Sequence, residues 1–172
     1  PRKNLPTIFK VIKYLTDSNI DCLLAKVGED FNGSLKEDME ELGISNRVIY
    51  FGKIGNSQLN ELYNASDILI HPSLYEGFGL TVIESMAAGL PVVTSRNSSL
   101  IEVAGDAAIL VDATDVKAIV ESVAMLRNDR ARQEFIGRGL ERSRLFSWRR
   151  TAREYISAYK ELSLGGKRSG SR

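Results

Sequence analysis

The stretch that decides the fold runs from residue 68 to residue 95 and reads ILIHPSLYEGFGLTVIESMAAGLPVVTS. It begins with Ile68–His71, an apolar run of strand length. The spacing of apolar residues then predicts a helix over Thr81–Ala88, which ends at Gly89. A second apolar run, Pro91–Ser95, predicts another strand. A strand, a helix and a strand in this order indicate a parallel pair joined by a helical crossover.

The same alternation continues on both sides of this stretch. We predict further strands at Asp21–Val27, Val48–Phe51 and Ala107–Val111, further helices at Leu5–Ser18, Gly33–Leu42, Ser57–Asn64, Asp115–Leu126, Asp129–Arg144 and Trp148–Leu162, and a short helical turn at Leu100–Val103. Strands that are apolar throughout indicate a parallel sheet covered by helices on both faces. The predicted fold class is therefore α/β, a Rossmann-like doubly wound parallel sheet with extra C-terminal helices. In such sheets, ligands bind beyond the carboxyl ends of the strands.

The composition excludes several classes of protein. The chain has 172 residues, of which 43% are apolar and 26% charged, as is typical of one globular domain. The only cysteine is Cys22 and the only histidine is His71, which excludes an internal disulfide and a zinc site of the Cys/His kind. We expect Cys22 to be buried in its strand. Since no apolar run approaches the roughly 20 residues that span a bilayer, and no signal peptide is recognisable, we expect a cytoplasmic chain.

The charge is distributed unevenly along the chain. A net charge of +1 combines −7 over residues 1–126 with +8 over residues 127–172. A solvated helix face is the ordinary explanation of the basic part. Two sharper alternatives stay open: a docking surface for another domain, and peripheral contact with an anionic membrane at its cytoplasmic face. We expect no nucleic-acid partner, because only the basic charge points to one.

The loop after His71 carries the residues that indicate chemistry. Gly77 and Gly79 let backbone approach a ligand closely, and the amides after them open onto a helix N-terminus, which attracts phosphate. Glu76 precedes the glycines, and Glu84 is predicted in the first turn of the helix. Because carboxylates repel phosphate, the two glutamates are better explained as acceptors for sugar or ribose hydroxyls. Turn chemistry explains either feature alone, but their combination favours a nucleotide sugar as the ligand.

These residues also carry a resemblance to a known family. The segment Glu76-Gly-Phe-Gly-Leu-Thr-Val-Ile-Glu84 resembles the E-x7-E motif of the family 4 (group 1) retaining glycosyltransferases, which have the GT-B fold. The segment that follows it, Ala-Ala-Gly-Leu-Pro-Val-Val-Thr-Ser, is similar to the same family. So are Pro1-Arg-Lys-Asn-Leu5 at the start and Phe146-Ser-Trp148 near the end. The resemblance covers residues 1–163 and identifies the chain as the C-terminal, donor-binding domain of such an enzyme.

The resemblance implies roles for individual residues. Glu84 is expected to hold the nucleotide ribose, Glu76 to contact a hydroxyl of the transferred sugar, and Lys3 to stabilise the leaving diphosphate. Glu76 and Lys3 are therefore the expected catalytic residues. The remaining donor-binding residues are expected to be Gly77, Phe78, Gly79, Leu80 and Thr81 at the sugar and the diphosphate, Gly28 after the first strand, and Lys53 with Ile54 near the nucleobase.

The activity that the resemblance implies is transfer of a hexose, with retention at its anomeric carbon, from a nucleoside-diphosphate sugar to an acceptor. UDP and GDP are the expected donor nucleotides, with ADP as a third. Some glycosyltransferases hold a metal with an Asp-x-Asp motif, and the sequence has none. We therefore expect neither a metal nor another cofactor. Lys3 and the helix amides are expected to offset the charge of the leaving group instead.

The chain departs from the family pattern in two respects and lacks a whole domain. The loop Val27-Gly28-Glu29-Asp30 has one glycine where many members have two. The family has a sheet strand directly before the segment that matches Pro1–Leu5, so we expect the first strand of the sheet to be missing. GT-B enzymes also carry the acceptor site on a separate N-terminal domain, for which 172 residues leave no room. We therefore expect this missing domain to be the partner, and the isolated chain to be inactive.

The chain divides into three expected segments. These are a Rossmann-like nucleotide-sugar-binding domain over residues 1–146, a C-terminal helix over 147–164 and a disordered basic tail over 165–172. Two other functions stay open at this point. One is a non-catalytic module that binds a nucleotide or a sugar. The other is a different GT-B enzyme, such as a sugar-nucleotide epimerase or a phosphorylase, although no site for the pyridoxal phosphate of a phosphorylase is recognisable.

Overall fold

The structure, a computed structural model, describes residues 2–165, with side chains as far as residue 163. Its strands are β1 (Leu24–Val27), β2 (Val48–Gly52), β3 (Leu69–His71), β4 (Val92–Ser95) and β5 (Ile109–Val111). Its helices are α1 (Leu5–Asp17), α2 (Gly33–Glu41), α3 (Asn56–Ala65), α4 (Leu80–Ala87), α5 (Ser98–Ala104), α6 (Val116–Leu126), α7 (Asp129–Ser143) and α8 (Trp148–Gly165). A short 3₁₀ turn over Ser45–Arg47 precedes β2. The predicted alternation of strands and helices is confirmed.

All strand pairs are parallel, but the strands form two separate sheets. One sheet has the order β1-β2, and the other has the order β3-β4-β5. Leu24 is opposite Val48 in the first sheet, and Leu69 is opposite Val92 in the second. The α/β class with parallel strands is therefore confirmed, while the sheet is interrupted between β1 and β3.

The interruption changes the burial of the strands beside it. All four residues of β4, which has a strand on each side, are buried. In β1, by contrast, Ala25 is exposed and the other three residues are only half-buried. The chain just before β1 is predicted to be strand from Asp21 onward, and that prediction is wrong for residues 21–23. Those residues have no strand beside them, because the partner β2 begins only at Val48, opposite Leu24.

Helix α1 connects the two sheets. Val11 and Leu15 belong to a buried cluster with residues of β4, β5 and α6. Ile8 and Ile12 belong to a second cluster on the side of α2. Each buried aliphatic side chain contributes roughly 1.5–3 kcal/mol relative to exposure, so α1 stabilises both halves at once. A third cluster packs α4 and α5 against the buried face of β4.

Asn4 holds the start of α1. It lies at the N-cap position, but its side chain forms no capping hydrogen bond. Its amide Nδ2 donates to the carbonyl of Ala113 instead, at 2.6 Å. The hydroxyl of Thr7 donates to Asn4 Oδ1 at 3.0 Å. Asn4 therefore ties the first turn of α1 to the loop after β5.

Helix α8 exposes an apolar stripe. It consists of Trp148, Tyr155, Ile156 and Tyr159, which are all more than half exposed in the described part of the chain. The predicted disordered tail lies outside the described residues from 166 onward, and its first residue, Gly165, ends α8. Among residues 2–165, no helix is long and apolar enough to cross a membrane.

Candidate functional site

The candidate site lies at the carboxyl ends of β3 and β4. In the loop after β3, the residues from Pro72 to Gly79 connect the strand to α4, and the loop after β4 runs beside them toward α5. Leu74 donates its backbone N–H to the carbonyl of Arg2 at 2.9 Å. This bond brings the beginning of the chain to the same edge of the sheet. The expected catalytic residues thus meet although they are far apart in sequence.

Glu76 is the centre of a buried polar cluster. Three groups converge on its Oε1 atom: Lys3 Nζ at 2.5 Å, Ser73 Oγ at 3.0 Å and His71 Nε2 at 3.2 Å. The Glu76 side chain is only 9% exposed, whereas that of Lys3 is 48% exposed. A buried carboxylate needs such partners because an unpaired charge is costly away from water. Oε2 is not used by these three contacts.

The electrostatics of the cluster favour an ionised Glu76 and a neutral His71. Burial disfavours the carboxylate, but hydrogen bonds from Lys3 and Ser73 outweigh it and lower the pKa of Glu76. Burial first, and then the nearby Lys3 charge, lower the pKa of His71 to about 4. His71 Nε2 is also hydrogen-bonded to Ser73 Oγ at 3.2 Å. Since the Ser73 hydroxyl donates its proton to Glu76, a neutral His71 with its proton on Nε2 donates to Ser73 Oγ and keeps an N–H beside Glu76.

The loop after β4 fixes the backbone around Glu76. Ser98 Oγ accepts the N–H of Glu76 at 3.1 Å, and Ser99 Oγ donates to its carbonyl at 2.9 Å. Asn97 Nδ2 donates to the carbonyl of Ser73 at 2.9 Å. The loop after β4 therefore holds the loop that carries Glu76. Nothing in the spacing of these residues indicates their partners, because the two loops meet only when β3 pairs with β4.

The N-terminus of α4 is open toward this cluster. Gly79 has φ of 105°, and a Cβ atom there would lie 2.8 Å from Leu100 Cδ2, so both conformation and space require glycine. Across residues 2–165, the amides of Phe78, Gly79, Leu80 and Thr81 donate no hydrogen bond to the protein. Unused donors at a helix N-terminus are suited to an anion. Phe78 packs edge-on against Phe146, with ring centroids 6.0 Å apart.

Glu84 lies on the exposed side of α4. The prediction that it belongs to the first turn is wrong: α4 begins at Leu80, and no acidic residue lies in its first turn. The hydroxyl of Tyr63 donates to Glu84 Oε2 at 3.3 Å. Burial and the neighbouring Glu84 charge raise the pKa of Tyr63 to about 12, so it stays protonated. The site residues predicted from sequence do not include Tyr63, because its contact with Glu84 depends on how α3 lies beside α4.

The other predicted donor contacts lie next to β1 and β2. Gly28 has φ of 102°, and its N–H donates to the carbonyl of Gly52 at 2.8 Å. Lys53 and Ile54 follow Gly52, so the three residues share one corner of the structure. In the described part of the chain, none of the three forms a hydrogen bond with Glu76 or Glu84. Their assignment to the nucleotide stays a prediction.

Metal-ligating side chains do not cluster in the described chain. Within residues 2–165, no group of three or more His, Cys, Asp or Glu side chains is placed to hold a metal ion. Cys22, predicted to be buried, is half-buried beside the interruption of the sheet. Burial raises the pKa of its thiol.

Comparison with known proteins gives the family. The family profile described as "Glycosyl transferases group 1" matches residues 1–142. The chain is 41% identical over 116 residues to O-antigen chain mannosyltransferase B of Escherichia coli, covering 67% of this chain and 30% of that protein. It is 31% identical over 138 residues to lipopolysaccharide core biosynthesis mannosyltransferase LpsB of Rhizobium meliloti (strain 1021), covering 77% of this chain and 39% of that protein.

A solved structure has the same fold. Sucrose-phosphate synthase from Thermosynechococcus elongatus superposes with a TM-score of 0.79 at 25% identity, covering 95% of this chain and 43% of that one. The chain thus spans less than half the length of each relative named. The family resemblance read from the E-x7-E segment is confirmed. Since the family profile extends over most of the chain and includes Lys3, Glu76 and Glu84, the chain belongs to the group 1 glycosyltransferases.

Proposed function

We propose that this chain binds the nucleotide-sugar donor of a hexosyltransferase. The observation that carries the proposal is the Lys3–Glu76 pair beside the open N-terminus of α4. Two kinds of group meet at this edge: donors for a diphosphate and carboxylates for hydroxyls. Glu84 lies within α4, whereas Glu76 lies in the loop before it. The two carboxylates can therefore contact different parts of one extended ligand, Glu84 the ribose and Glu76 the transferred sugar.

The diphosphate would be held by Lys3 and the α4 amides. A lysine ammonium has three N–H donors, and the bond to Glu76 uses one of them. The remaining donors are free to face the phosphates, since the Lys3 side chain is half exposed. Charge that develops on the leaving nucleoside diphosphate is then offset by this cation and by the helix amides. The proposal needs no metal for this step.

The hydroxyls would be held by the two glutamates. Tyr63 bonds Oε2 of Glu84, which leaves Oε1 of the same carboxylate for a ribose hydroxyl. In the same way, Oε1 of Glu76 is held by its neighbours, and Oε2 stays available for the transferred sugar. Each glutamate is therefore oriented by one oxygen and free to bind through the other. This division supports the roles that the family resemblance implies, with retention at the anomeric carbon as part of the proposal.

Mannose is the first sugar to test. Two relatives, of 41% and 31% identity, are named mannosyltransferases.

Transfer of the sugar is proposed to need a second domain. Because the chain covers at most 43% of the relatives compared, acceptor binding is assigned to a region outside it. The cytoplasmic location and contact with a membrane face stay part of the same proposal.

Isothermal titration of GDP, UDP, ADP and GDP-mannose into the chain tests the donor site. We expect one nucleotide to bind, with an affinity that EDTA leaves unchanged. Incubation with radiolabelled GDP-mannose and candidate acceptors is expected to give no transfer. Absence of binding by every nucleotide and nucleotide sugar in a wider panel would contradict the proposed function, and turnover by the chain alone would contradict the need for a second domain.

A further inference from the structure

Phe146 lies after the end of α7 and packs against Gly77–Gly79, the glycine segment that precedes α4. Its ring meets that of Phe78 edge-on, with an angle of 82° between the ring planes and the centroids 6.0 Å apart. This is a favoured arrangement of two aromatic rings. Phe146 has no part in the proposed function so far, although it contacts the segment whose amides are proposed to bind the diphosphate.

The backbone of the glycine segment is held at its ends. Glu76, before it, is tied to the loop after β4 by two hydrogen bonds, and the carbonyl of Gly79 accepts the first bonds of α4. Between them, in the described part of the chain, the backbone groups of Gly77 and Phe78 form no hydrogen bond. A Cβ atom at Gly77 would meet nothing within 4 Å. The ring of Phe78 is therefore the group through which packing can fix this backbone.

Phe146 is itself fixed by two kinds of contact. It is half-buried and packs against the buried cluster formed by α4, β4 and α5. The guanidinium of Arg142 lies over its ring, 5.5 Å from the centroid, which is a favourable cation–π distance. Arg142 Nε donates to the carbonyl of Val103 at 3.0 Å, and Nη2 donates to that of Glu102. Arg142 thus ties the last turn of α5 to the end of α7 and holds the Phe146 ring there.

The packing of α7 on α4 determines where Phe146 lies. A Cβ atom at Gly139 of α7 would lie 3.3 Å from Cγ of Met86, so the two helices are in close contact at that point. Met86 is near the end of α4, whereas Phe78 lies just before its beginning. The chain therefore runs back along α4 as it passes from Gly139 to Phe146. This course places Phe146 beside the N-terminus of α4.

We propose that Phe146 is a positioning residue of the donor site: its ring holds that of Phe78, and Phe78 keeps the glycine segment in the conformation that presents its amides to the diphosphate. Phe146 acts through Phe78, and no contact with the nucleotide is assigned to it. The proposal rests on the proposed function, since it takes these amides as the diphosphate site. It therefore requires an effect on binding of the phosphates and none on binding of the nucleoside.

Substitution of the rings tests the proposal. Phe146→Leu and Phe78→Leu remove the edge contact, whereas Phe146→Tyr retains it. Phe135→Leu is the matched control, because Phe135 is also half-buried, has the guanidinium of Arg138 over its ring at 5.6 Å and packs against a different buried cluster. GDP, UDP and ADP are titrated by calorimetry, and the corresponding nucleosides by ligand-observed NMR.

We expect Phe146→Leu to lower the affinity for the nucleoside diphosphate about fivefold and to leave the affinity for the nucleoside unchanged. Phe146→Tyr and Phe135→Leu are expected to bind both ligands as the unaltered chain does. The double variant should lose no more affinity than Phe78→Leu alone, because the two rings act as a unit. Equal losses for diphosphate and nucleoside, an equal loss in Phe135→Leu, or additive losses in the double variant would overturn the proposal.

A measurement without ligand separates this proposal from the proposed function. The ¹H–¹⁵N heteronuclear NOE reports the rigidity of the backbone at Phe78 and Gly79. We expect lower values at both residues in Phe146→Leu and unchanged values in α6. Unchanged values at Phe78 and Gly79 would overturn the positioning role even if nucleotides bind. If the unaltered chain binds no nucleotide, the proposed function fails with the role of the amides, and lower values would still support the ordering of the segment by Phe146.

A milder variant keeps the test decisive if Phe146→Leu does not fold. Phe146→Met retains most of the apolar volume without a ring, and methionine adapts to irregular packing. We expect it to show the same selective loss of diphosphate affinity and the same lower NOE values at Phe78 and Gly79. A folded Phe146→Met chain that matches the unaltered chain in both measurements would overturn the proposal.

Discussion

Lys3 Nζ donates a hydrogen bond of 2.5 Å to Glu76 Oε1, across 73 positions of sequence. The bond joins the residues before α1 to the loop after β3, and it pairs a half-exposed cation with a buried carboxylate. The two expected catalytic residues are thereby brought into direct contact. Replacement of either residue therefore removes a hydrogen-bond partner of the other.

Replacement of Glu84 by alanine is expected to weaken nucleotide binding without unfolding the chain. Glu84 is exposed, and a hydrogen bond to a charged group contributes roughly 1.5–3 kcal/mol, which corresponds to an affinity loss of about tenfold or more. Titration calorimetry measures the affinity. Glu141→Ala, at an exposed position of α7, is the matched control and should bind as the unaltered chain does. Equal binding by Glu84→Ala would remove Glu84 from the donor site.

Lys3→Met is expected to lower the affinity for a nucleoside diphosphate by about tenfold, because a charged donor to phosphate is lost. The salt dependence of the affinity should become shallower at the same time. Lys10→Met provides the control, since Lys10 is exposed on α1 and lies outside the carboxyl edge. If both variants bind a nucleoside diphosphate equally well, Lys3 does not contact the diphosphate.

His71 is expected to make the chain less stable as the pH falls from 6.5 to about 4. Its pKa is about 4 in the folded chain and ordinarily near 6.5, so in this range the unfolded chain binds a proton that the folded chain does not. Above pH 6.5 His71 is neutral in both states, and the chain keeps its full free energy of unfolding. Below pH 6.5 that free energy falls, because the unfolded chain takes up a proton before the folded chain does. The loss is roughly 3 kcal/mol by pH 4.

Urea denaturation at several pH values measures this effect. His71 should contribute up to about 1.4 kcal/mol per pH unit to the slope of the free energy of unfolding against pH. The His71→Gln variant should lack this contribution. Because His71 is the only histidine, its ring proton resonances report the titration directly. A midpoint near 6.5 in the folded chain would contradict a buried, neutral His71.

Gly79→Ala is expected to destabilise the chain by about 1–3 kcal/mol. The added methyl group would lie 2.8 Å from Leu100 Cδ2, in a backbone conformation that L-residues rarely adopt. Gly77→Ala is the control from the same loop, because a Cβ atom there meets nothing within 4 Å. The two variants are compared by urea denaturation. Equal midpoints would show that the loop relaxes around the added methyl group.

Much of the fold was predictable because its signals are local. Apolar runs of strand length and helical periodicity between them predict the elements to within a few residues. The prediction was wrong at Asp21–Leu23, where the pattern is that of a strand but no neighbouring strand is present to pair with it. This error concerns a pairing partner, which a local pattern does not specify.

Sequence alone determined the alternation of parallel strands and helices, and it determined that Glu76 precedes the glycines before α4 while Glu84 lies within that helix. Both are consequences of short-range spacing, in which backbone periodicity and glycine conformation act over fewer than ten residues. Only the tertiary structure decided which groups hold Glu76 and Glu84. The contacts from Lys3 and Tyr63 join residues 73 and 21 positions apart. Such contacts depend on strand order and helix packing, and those are fixed by burial of the whole chain.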